Sequence, residues 1–214
     1  MGRLVVIEGL DGAGKNTLTR SLTETLEERG ASVARIAFPR YGHSVHADLV
    51  RDALHGRLGE LPDSVYAMAL LFALDRRDAA GEIRAAAAEH DVLLLDRYVA
   101  SNAAYCAARL HQHADGPFVA WLRELEIDRF GLPRPDLHVL LRVPRELAAR
   151  RARQREEADA DRALDSYESN DDLQARCAEV YDELAAANWL APWWVLDGVD
   201  TPDLVKLAED VLRR

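Results

Sequence analysis

The segment from Leu4 to Thr17 constrains the fold more than any other part of the chain. It reads Leu-Val-Val-Ile-Glu-Gly-Leu-Asp-Gly-Ala-Gly-Lys-Asn-Thr, an apolar run that leads into the spacing G-x-x-x-x-G-K. Glycines let the backbone curl so that successive N–H groups point at phosphate oxygens, in torsions that side chains disfavour. The lysine adds a positive charge for the β- and γ-phosphates, and the following helix contributes its dipole. The segment therefore predicts a strand, a phosphate-binding loop and a helix, with nucleotide contacts from Gly9, Leu10, Asp11, Gly12, Ala13, Gly14, Lys15, Asn16 and Thr17.

One position of this loop departs from the usual pattern. The residue after the lysine is normally Ser or Thr, whose hydroxyl reaches a metal ion, and here it is Asn16, with Thr17 one place later. The departure weakens the usual route to Mg2+ and leaves more of the coordination to carboxylates or water. The alternative interpretation of the segment is a glycine-rich turn between strand and helix that holds no ligand.

Length and composition favour one globular domain. The chain has 214 residues, 49% of them hydrophobic, which is enough to bury a full core. We expect a single domain over residues 1–214. The apolar stretches are shorter than a membrane span and no basic leader precedes the first strand, so we expect a cytoplasmic protein without a membrane partner. The net charge of −10 argues against a nucleic-acid partner, and Cys106 and Cys177 are expected to be inert thiols.

Apolar runs alternate with helical patterns along the chain. The strands are predicted at residues 4–8, 32–37, 92–96, 137–143 and 193–196, with the little polar alternation of strands buried on both faces. The helices are predicted at 15–28, 45–54, 64–75, 81–89, 100–111, 118–129, 146–155, 171–187 and 202–212. Such alternation predicts an α/β protein with the three-layer fold of P-loop NTPases, in which helices cover both faces of a five-stranded parallel sheet.

Two further segments bear on the chemistry. The third predicted strand ends in Asp96 followed by Arg97, and ligand sites form at the carboxyl ends of parallel strands. Asp96 is therefore a candidate to hold Mg2+, directly or through water, and Arg97 to neutralise a phosphate, although a strand-end ion pair would use the same two residues. Around residues 150–165 large apolar side chains almost vanish, which predicts a polar flap, or lid, outside the core.

Four motifs together resemble the thymidylate kinase family. They are Glu8-Gly-Leu-Asp-Gly-Ala-Gly-Lys15, Phe38-Pro-Arg-Tyr41, Asp96-Arg-Tyr98 followed by Ser101-Asn-Ala-Ala-Tyr105, and Asp165-x-Tyr167-Glu168. The resemblance implies an ATP- and Mg2+-dependent enzyme that transfers the γ-phosphoryl group to dTMP, giving dTDP, and that forms a homodimer. It also implies metal contacts from Asp11, Asp96 and Glu168.

The resemblance assigns the acceptor site. It implies that Phe72 stacks on thymine, that Arg76 and Asn102 bond the base edge, and that Tyr105 packs where a ribose 2′-hydroxyl would lie. From the residues alone, Phe72 would more often be core, Asn102 a cap and Tyr105 half-buried helix. The full set of implied substrate contacts is Asp11, Phe38, Arg40, Tyr41, Phe72, Arg76, Arg97, Ser101, Asn102, Tyr105, Asp165 and Tyr167.

The lid is expected to carry the catalytic arginines. One branch of the family has an arginine in the phosphate loop where this chain has Gly12, and the other branch places it in the lid. Arg151 and Arg155 lie one helical turn apart and could close over ATP to stabilise charge between donor and acceptor, although a run that mixes Arg with Glu and Asp is usually a solvated face. The implied catalytic residues are Lys15, Asp11, Arg97, Arg151 and Arg155.

Two other functions share parts of this pattern. A nucleotide-dependent switch would need an Asn/Thr-Lys-x-Asp guanine reader, and neither Lys15 nor Lys206 stands in that context. A kinase that acts on an uncharged deoxynucleoside is the nearer alternative. Arginines and a tyrosine around a substrate phosphate favour a monophosphate acceptor instead.

Overall fold

The computed structural model describes residues 2–144, 147–148, 150–151, 171–198 and 202–213. Five strands form one sheet: β1 Arg3–Glu8, β2 Val33–Ala37, β3 Val92–Asp96, β4 Leu137–Arg142 and β5 Trp193–Asp197. The strand order is β2-β3-β1-β4-β5, and every pairing is parallel. This confirms the predicted α/β class and the five-stranded parallel sheet.

Helices surround the sheet. They are α1 Lys15–Glu27, α2 Val45–Leu54, α3 Val65–Asp78, α4 Ala80–Glu89, α5 Val99–Arg109, α6 Pro117–Arg123, α7 Asp171–Ala186 and α8 Leu204–Leu212. Helix α1 packs against α8, whereas α5 packs against α7 and α3. The central strands β1 and β3 are almost wholly buried, so neither face of the sheet meets water there. No helix within the described ranges has the length and apolar character needed to cross a bilayer.

Two elements between α2 and β4 differ from the prediction. A short 3-10 turn at Leu61–Asp63 was not predicted. The helix predicted over 118–129 is α-helical only through Arg123 and continues as a π-helical segment, Glu124–Arg129. An i→i+5 helix carries more residues per turn, so it rotates side chains to new directions. The α-helical period used for the prediction fails in that segment for this reason.

The carboxyl ends of β1 and β3 position the site. β1 lies between β3 and β4, with Ile7 level with Asp96 in the register of the sheet. The loop after β1 and the Asp96–Arg97 step after β3 therefore emerge side by side. This is the edge of the sheet at which the strand order changes direction and where α/β folds bind ligands.

Candidate active site

The loop after β1 has the backbone that the sequence predicts for a phosphate-binding loop. Gly9, Gly12 and Gly14 have φ values of 147°, 76° and 102°, all in the region that L side chains rarely adopt. A Cβ at Gly9 would also lie 2.7 Å from the carbonyl oxygen of Leu141 on the neighbouring strand. Helix α1 begins directly after Gly14, so its unpaired N–H groups face the loop.

Lys15 is buried at the start of α1. Its Nζ donates hydrogen bonds to the carbonyl oxygens of Gly9, at 3.1 Å, and Leu10, at 2.8 Å. Burial and the charge of Arg97 together lower the pKa of Lys15 to about 8, against the opposing effect of nearby carboxylates that include Asp11. The lysine charge is therefore held inside the curl of the loop, where a phosphate group would gain most from it.

Asp11 and Arg97 form the centre of the site. Arg97 Nη2 donates to Asp11 Oδ1, and the hydroxyl of Tyr105 donates to Asp11 Oδ2 at 2.7 Å. Burial alone would raise the pKa of Asp11, but the charges of Arg97 and Lys15 outweigh it and lower that pKa to about 2. Asp11 is therefore ionised at neutral pH. The structure thus brings together four residues that the sequence analysis assigned to the site.

The backbone of Arg97 is held in an unusual conformation. Its φ is 65°, and its N–H donates to the carbonyl oxygen of Ile7 on β1 at 3.0 Å. This anchors the residue across the two strand ends and directs its side chain over the ring of Tyr105, 5.4 Å from the ring centroid. Backbone strain at a predicted phosphate contact indicates that the placement of this guanidinium has a functional role.

A buried carboxylate lies beneath Arg97. Glu8 accepts hydrogen bonds from Ser101 Oγ at 2.6 Å, from the hydroxyl of Tyr181 at 2.9 Å and from the N–H of Tyr98 at 3.0 Å. Ser101 Oγ in turn accepts from Arg97 Nη1 at 3.1 Å. Burial raises the pKa of Glu8, although the Ser101 bond and the Arg97 charge oppose it. Glu8 therefore supports the arginine from below.

Tyr181 of α7 was not among the predicted site residues. It is buried, reaches Glu8 and Ser101, and its ring packs edge-on against Tyr105 with centroids 6.5 Å apart. The sequence shows only a tyrosine on the apolar face of a helix, which more often is core. Glu8 carried a stronger signal, because it ends an otherwise apolar buried strand.

Asp96 at the end of β3 is the next carboxylate of the site. Its Oδ1 is buried and has no hydrogen-bond partner among the residues that the structure describes. A carboxylate oxygen of this kind, close to the lysine of a phosphate loop, suits a magnesium ion or one of its bound waters. The described ranges contain no group of three or more His, Cys, Asp or Glu side chains that could hold a metal by themselves. Asp11 is engaged by Arg97 and Tyr105, so Asp96 is the described carboxylate that best fits the ion.

The segment Phe38 to Tyr41 follows β2 and lies next to Asp96. Phe38 is buried, its N–H donates to the carbonyl oxygen of Asp96 at 2.9 Å, and its bond to Pro39 is cis. Tyr41 is exposed, with the guanidinium of Arg51 5.7 Å from its ring centroid. Tyr41 is thus at the surface of the loop, whereas Phe38 belongs to the wall beneath it.

The side chain of Arg40 extends from the segment Phe38–Tyr41 to two helices. Its Nε donates to Asp75 at 2.9 Å, Nη2 to Asp78 at 3.1 Å and Nη1 to Glu82 at 3.2 Å. The Arg40 N–H also donates to Asp75, which is 1% exposed. Arg40 therefore clamps the loop to α3 and α4. The implied contact of Arg40 with the substrate stays a prediction, and it would require the guanidinium to leave these carboxylates.

The residues predicted to contact a base lie together on α3 and α5. Phe72 is partly buried at the edge of the core, and Arg76 follows one turn later on the same helix. Arg76 is buried and pairs with Glu126 of the π-helical segment through Nε and Nη2, both at 2.6 Å. Asn102 Nδ2 donates to the carbonyl oxygen of Ala69 at 3.0 Å and to Glu126 at 3.1 Å.

Glu126 is the residue of this region that sequence reasoning missed. It is fully buried and contacts two of the predicted base-binding side chains. A signal did exist: Phe118, Leu122, Leu125 and Glu126 follow the helical spacing of an apolar face, and an acid on that face requires a buried partner.

The lid is described only where it begins. Arg151 Nη1 donates to the carbonyl oxygen of Ala13 in the phosphate loop at 3.3 Å. This places one predicted lid arginine against the loop that would bind the donor. Arg155, Asp165, Tyr167 and Glu168, as well as most of the predicted helix 146–155, lie outside the described residues.

Comparison with known proteins gives a consistent result. The model of the thymidylate kinase family matches residues 7–194. The chain is 53% identical over 193 residues to a thymidylate kinase of Mycobacterium tuberculosis, covering 90% of each chain. It is 37% identical over 181 residues to a thymidylate kinase of Xanthomonas oryzae, covering 84% of this chain and 70% of the relative. It is 31% identical over 195 residues to a probable thymidylate kinase of Pyrococcus abyssi, covering 89% of each.

Proposed function

The chain belongs to the thymidylate kinase family, and from this premise we propose that the cluster around Lys15, Asp11 and Arg97 carries out its reaction. That reaction transfers the γ-phosphoryl group of ATP to dTMP and gives ADP and dTDP. One observation supports the assignment most strongly. Where β1 and β3 end, a phosphate loop with a buried lysine lies beside Arg97, which bonds Asp11 of that loop and could bind a second phosphate. Donor and acceptor phosphates would meet there.

The chemistry asks for positioning and charge neutralisation. An oxygen of the dTMP phosphate, already ionised at neutral pH, attacks the γ-phosphorus of ATP, and the bond to the bridging oxygen of ADP breaks. The attacking group therefore needs no general base, but two polyanions must approach in line. We assign the donor phosphates to the N–H groups of the loop and to Lys15, and the acceptor phosphate to Arg97 and Tyr41.

Asp11 acts on this reaction through its partners. Both of its oxygens are engaged, one by Arg97 and one by Tyr105. A carboxylate in that position fixes the direction of the guanidinium and of the phenol at the same time. Asp11 therefore holds Arg97 toward the acceptor phosphate and Tyr105 beside the sugar, and the predicted contact of Asp11 with the substrate stays part of the proposal.

We assign the magnesium ion to Asp96. When bound, such an ion would supply positive charge for the donor phosphates. Asp96 Oδ1 is a buried carboxylate oxygen without a hydrogen-bond partner among the described residues, and Asn16 lacks the hydroxyl that most phosphate loops offer. Asp96 would hold the ion or a bound water, with Glu168, which follows the lid in sequence, and Asp11 kept as predicted further ligands.

Lid closure belongs to the same proposal. Arg151 already contacts the carbonyl oxygen of Ala13, so a small movement would bring its charge to the donor phosphates. We propose that residues 1–214 form one domain with the lid at about 150–165, in which Arg151 and Arg155 stabilise the transferring group. A cytoplasmic location stays a prediction.

We also propose that the chain forms a homodimer through α2 and α3. These two helices pack side by side and expose four large apolar side chains: Val45 and Leu49 on α2, and Tyr66 and Leu70 on α3. Each pair is spaced i, i+4, so its two side chains share one face of their helix, and we call the four together the apolar strip. Large apolar side chains grouped on two packed, exposed helices favour an interface, and a second copy of the same strip is the partner that matches it.

A panel of acceptors tests the proposed function. ADP release from ATP is measured with dTMP, dUMP, dCMP, dGMP and thymidine as acceptors. The proposal predicts the highest kcat/KM with dTMP and little activity with thymidine, because Arg97 needs an acceptor phosphate. Preference for thymidine, or lack of activity with dTMP, would overturn it.

A further inference from the structure

Glu126 is a buried acid that the reaction itself does not use. It is 0% exposed and belongs to the π-helical segment Glu124–Arg129, which follows α6. Burying an ionised carboxylate costs several kcal/mol unless charged and hydrogen-bonding partners compensate it. The partners of Glu126 are Arg76 of α3 and Asn102 of α5, two side chains assigned to the base of the acceptor.

The hydrogen bonds of Asn102 leave its amide in one orientation. Nδ2 donates to the carbonyl oxygen of Ala69 at 3.0 Å and to Glu126 Oε1 at 3.1 Å, and both of these atoms are pure acceptors. The thiol of Cys106 donates to Oδ1 at 3.3 Å from one helical turn away. A rotated amide would set its oxygen against a carbonyl and a carboxylate. Both amide hydrogens are consumed within the protein, so the group that Asn102 can offer a ligand is the acceptor Oδ1.

The ion pair with Glu126 fixes the orientation of the Arg76 guanidinium. Nε and Nη2 form two parallel bonds to the Glu126 carboxylate, both at 2.6 Å, in the fork geometry that fixes a guanidinium plane. This pair does not use Nη1, which is a donor under all conditions because arginine stays protonated. One oxygen, Glu126 Oε1, accepts from both Arg76 Nη2 and Asn102 Nδ2, so a single carboxylate orients a remaining donor of Arg76 and the acceptor of Asn102 on neighbouring side chains.

We propose that Glu126 is a positioning residue that sets the base selectivity of the acceptor site, an inference that rests on the proposed function. A thymine edge has an acceptor, O4, beside a donor, N3–H, which complements the donor of Arg76 and the acceptor of Asn102. A cytosine edge has the reverse pattern, a donor N4–H2 beside the acceptor N3, and would meet a donor with a donor and an acceptor with an acceptor. By fixing both side chains, Glu126 favours thymine and disfavours cytosine.

The π-helical segment explains how an acid reaches this position. The N–H of Phe130 donates to the carbonyl oxygen of Leu125 at 2.9 Å, and the N–H of Leu132 donates to that of Glu126 at 3.1 Å. Both bonds span more residues than an α-helical bond does, so the segment is wound more widely than α6. π-helical turns occur frequently at functional sites, where they redirect a side chain. Here the side chain that this segment carries is the carboxylate between α3 and α5.

The test compares four proteins: wild type, E126Q, E126D and L122A. E126Q removes the charge, and E126D keeps the charge but is one methylene too short to reach both partners. L122A is the matched control, since Leu122 is buried on the adjoining helix and lacks polar contacts. Affinities for dTMP and dCMP are measured by calorimetry, kcat with dTMP at saturating ATP, and Tm for each protein.

We expect E126Q to raise the Kd for dTMP about 10-fold and to reduce the ratio of the dCMP and dTMP dissociation constants by a similar factor, with kcat within about twofold. E126D should change the same two quantities in the same direction by less. L122A should lower Tm while leaving both quantities unchanged, because loss of stability alone does not alter selectivity.

The inference is overturned if E126Q and E126D retain the wild-type Kd for dTMP and the wild-type selectivity. If E126Q does not fold, E126D decides in the same way, since its charge still neutralises Arg76. The proposed function can fail separately. A wild-type protein that binds dTMP but does not phosphorylate it would contradict the kinase assignment, and the dissociation constants would still test the role of Glu126 in base selectivity.

Discussion

At the scale of single residues, the environment of Lys15 favours the binding of an anion. The lysine is enclosed by the loop carbonyls and lies near the positive charge of Arg97, which together with burial brings its pKa to about 8. A phosphate would replace this poor environment with a favourable one. Phosphate oxygens would add negative charge that favours the protonated lysine.

This pKa predicts the pH dependence of donor binding. Above pH 8 the free enzyme loses the Lys15 charge, so kcat/KM for ATP should fall about 10-fold between pH 7.5 and pH 9. The pKa of Asp11, about 2, and that of Tyr105, raised well above its usual value by burial, place neither group in this window. Initial rates at subsaturating ATP measure the effect.

The variant K15R is the control for this profile. Arginine stays charged through pH 9, so the residual activity of K15R should lack the alkaline fall even though its rate is lower. A wild-type profile that stays flat to pH 9, or an equal fall in K15R, would show that Lys15 is not the titrating group.

The residues of the site also show what a sequence can and cannot reveal. The glycines, Lys15 and Asp11 were predictable, because a phosphate loop is a local backbone structure and its requirements appear as local spacing. The pair of Arg76 with Glu126 joins residues 50 positions apart. No local pattern encodes such a pairing, and the same holds for the carboxylates that engage Arg40.

At the scale of elements, the strands were predicted best and the helix ends least well. β3 has the predicted bounds, since its apolar run is sharply limited by Asp91 and Asp96. α3 runs three residues beyond the predicted end, to Asp78, because Arg76 finds a buried partner and can remain inside the helix. Tertiary contacts of this kind override the signals that end a helix in the sequence.

Strand β4 contains an internal histidine that predicts an acid-sensitive fold. His138 is fully buried, its ring stacks on Trp193 at 4.3 Å, and neither ring nitrogen has a hydrogen-bond partner among the described residues. Burial lowers the pKa of His138 to about 3. In the unfolded chain the same group has a pKa of about 6.5, so the unfolded state binds the proton first as the pH falls.

The expected effect is a loss of stability between pH 6.5 and pH 3. From pH 7 to pH 5 the free energy of unfolding should fall by about 2 kcal/mol through His138 alone. H138V fits a buried strand and does not titrate, so its stability should fall by that much less over the same range. Urea unfolding of both proteins at pH 7 and pH 5 measures the difference, and equal losses in the two would contradict the assignment.

At the scale of the whole molecule, the apolar strip on α2 and α3 predicts the assembly. Replacement of Leu49 and Leu70 by Asp should convert a dimer into a monomer at micromolar concentration, because four charges would then face one another across the interface. V205D is the matched control: Val205 is 52% exposed on α8, which packs against α1 and lies outside the strip.

Sedimentation equilibrium distinguishes these outcomes. One chain has a mass of 23.9 kDa. We expect the wild type and V205D to sediment with twice this mass, as dimers, and the L49D/L70D variant to sediment with the mass of one chain. A wild type that sediments as a monomer would show that the strip is not covered by a second copy.

The central claim is that one cluster, built where β1 and β3 end, passes the γ-phosphoryl group to the phosphate of dTMP. Transfer of label from [γ-32P]ATP to dTMP, with separation of the products, tests it most directly in the wild type, R97Q and the exposed-arginine control R213Q. The account predicts label in dTDP for the wild type and R213Q, with transfer at least about 100-fold slower in R97Q. Label released as inorganic phosphate instead of dTDP, or equal transfer by R97Q, would contradict it.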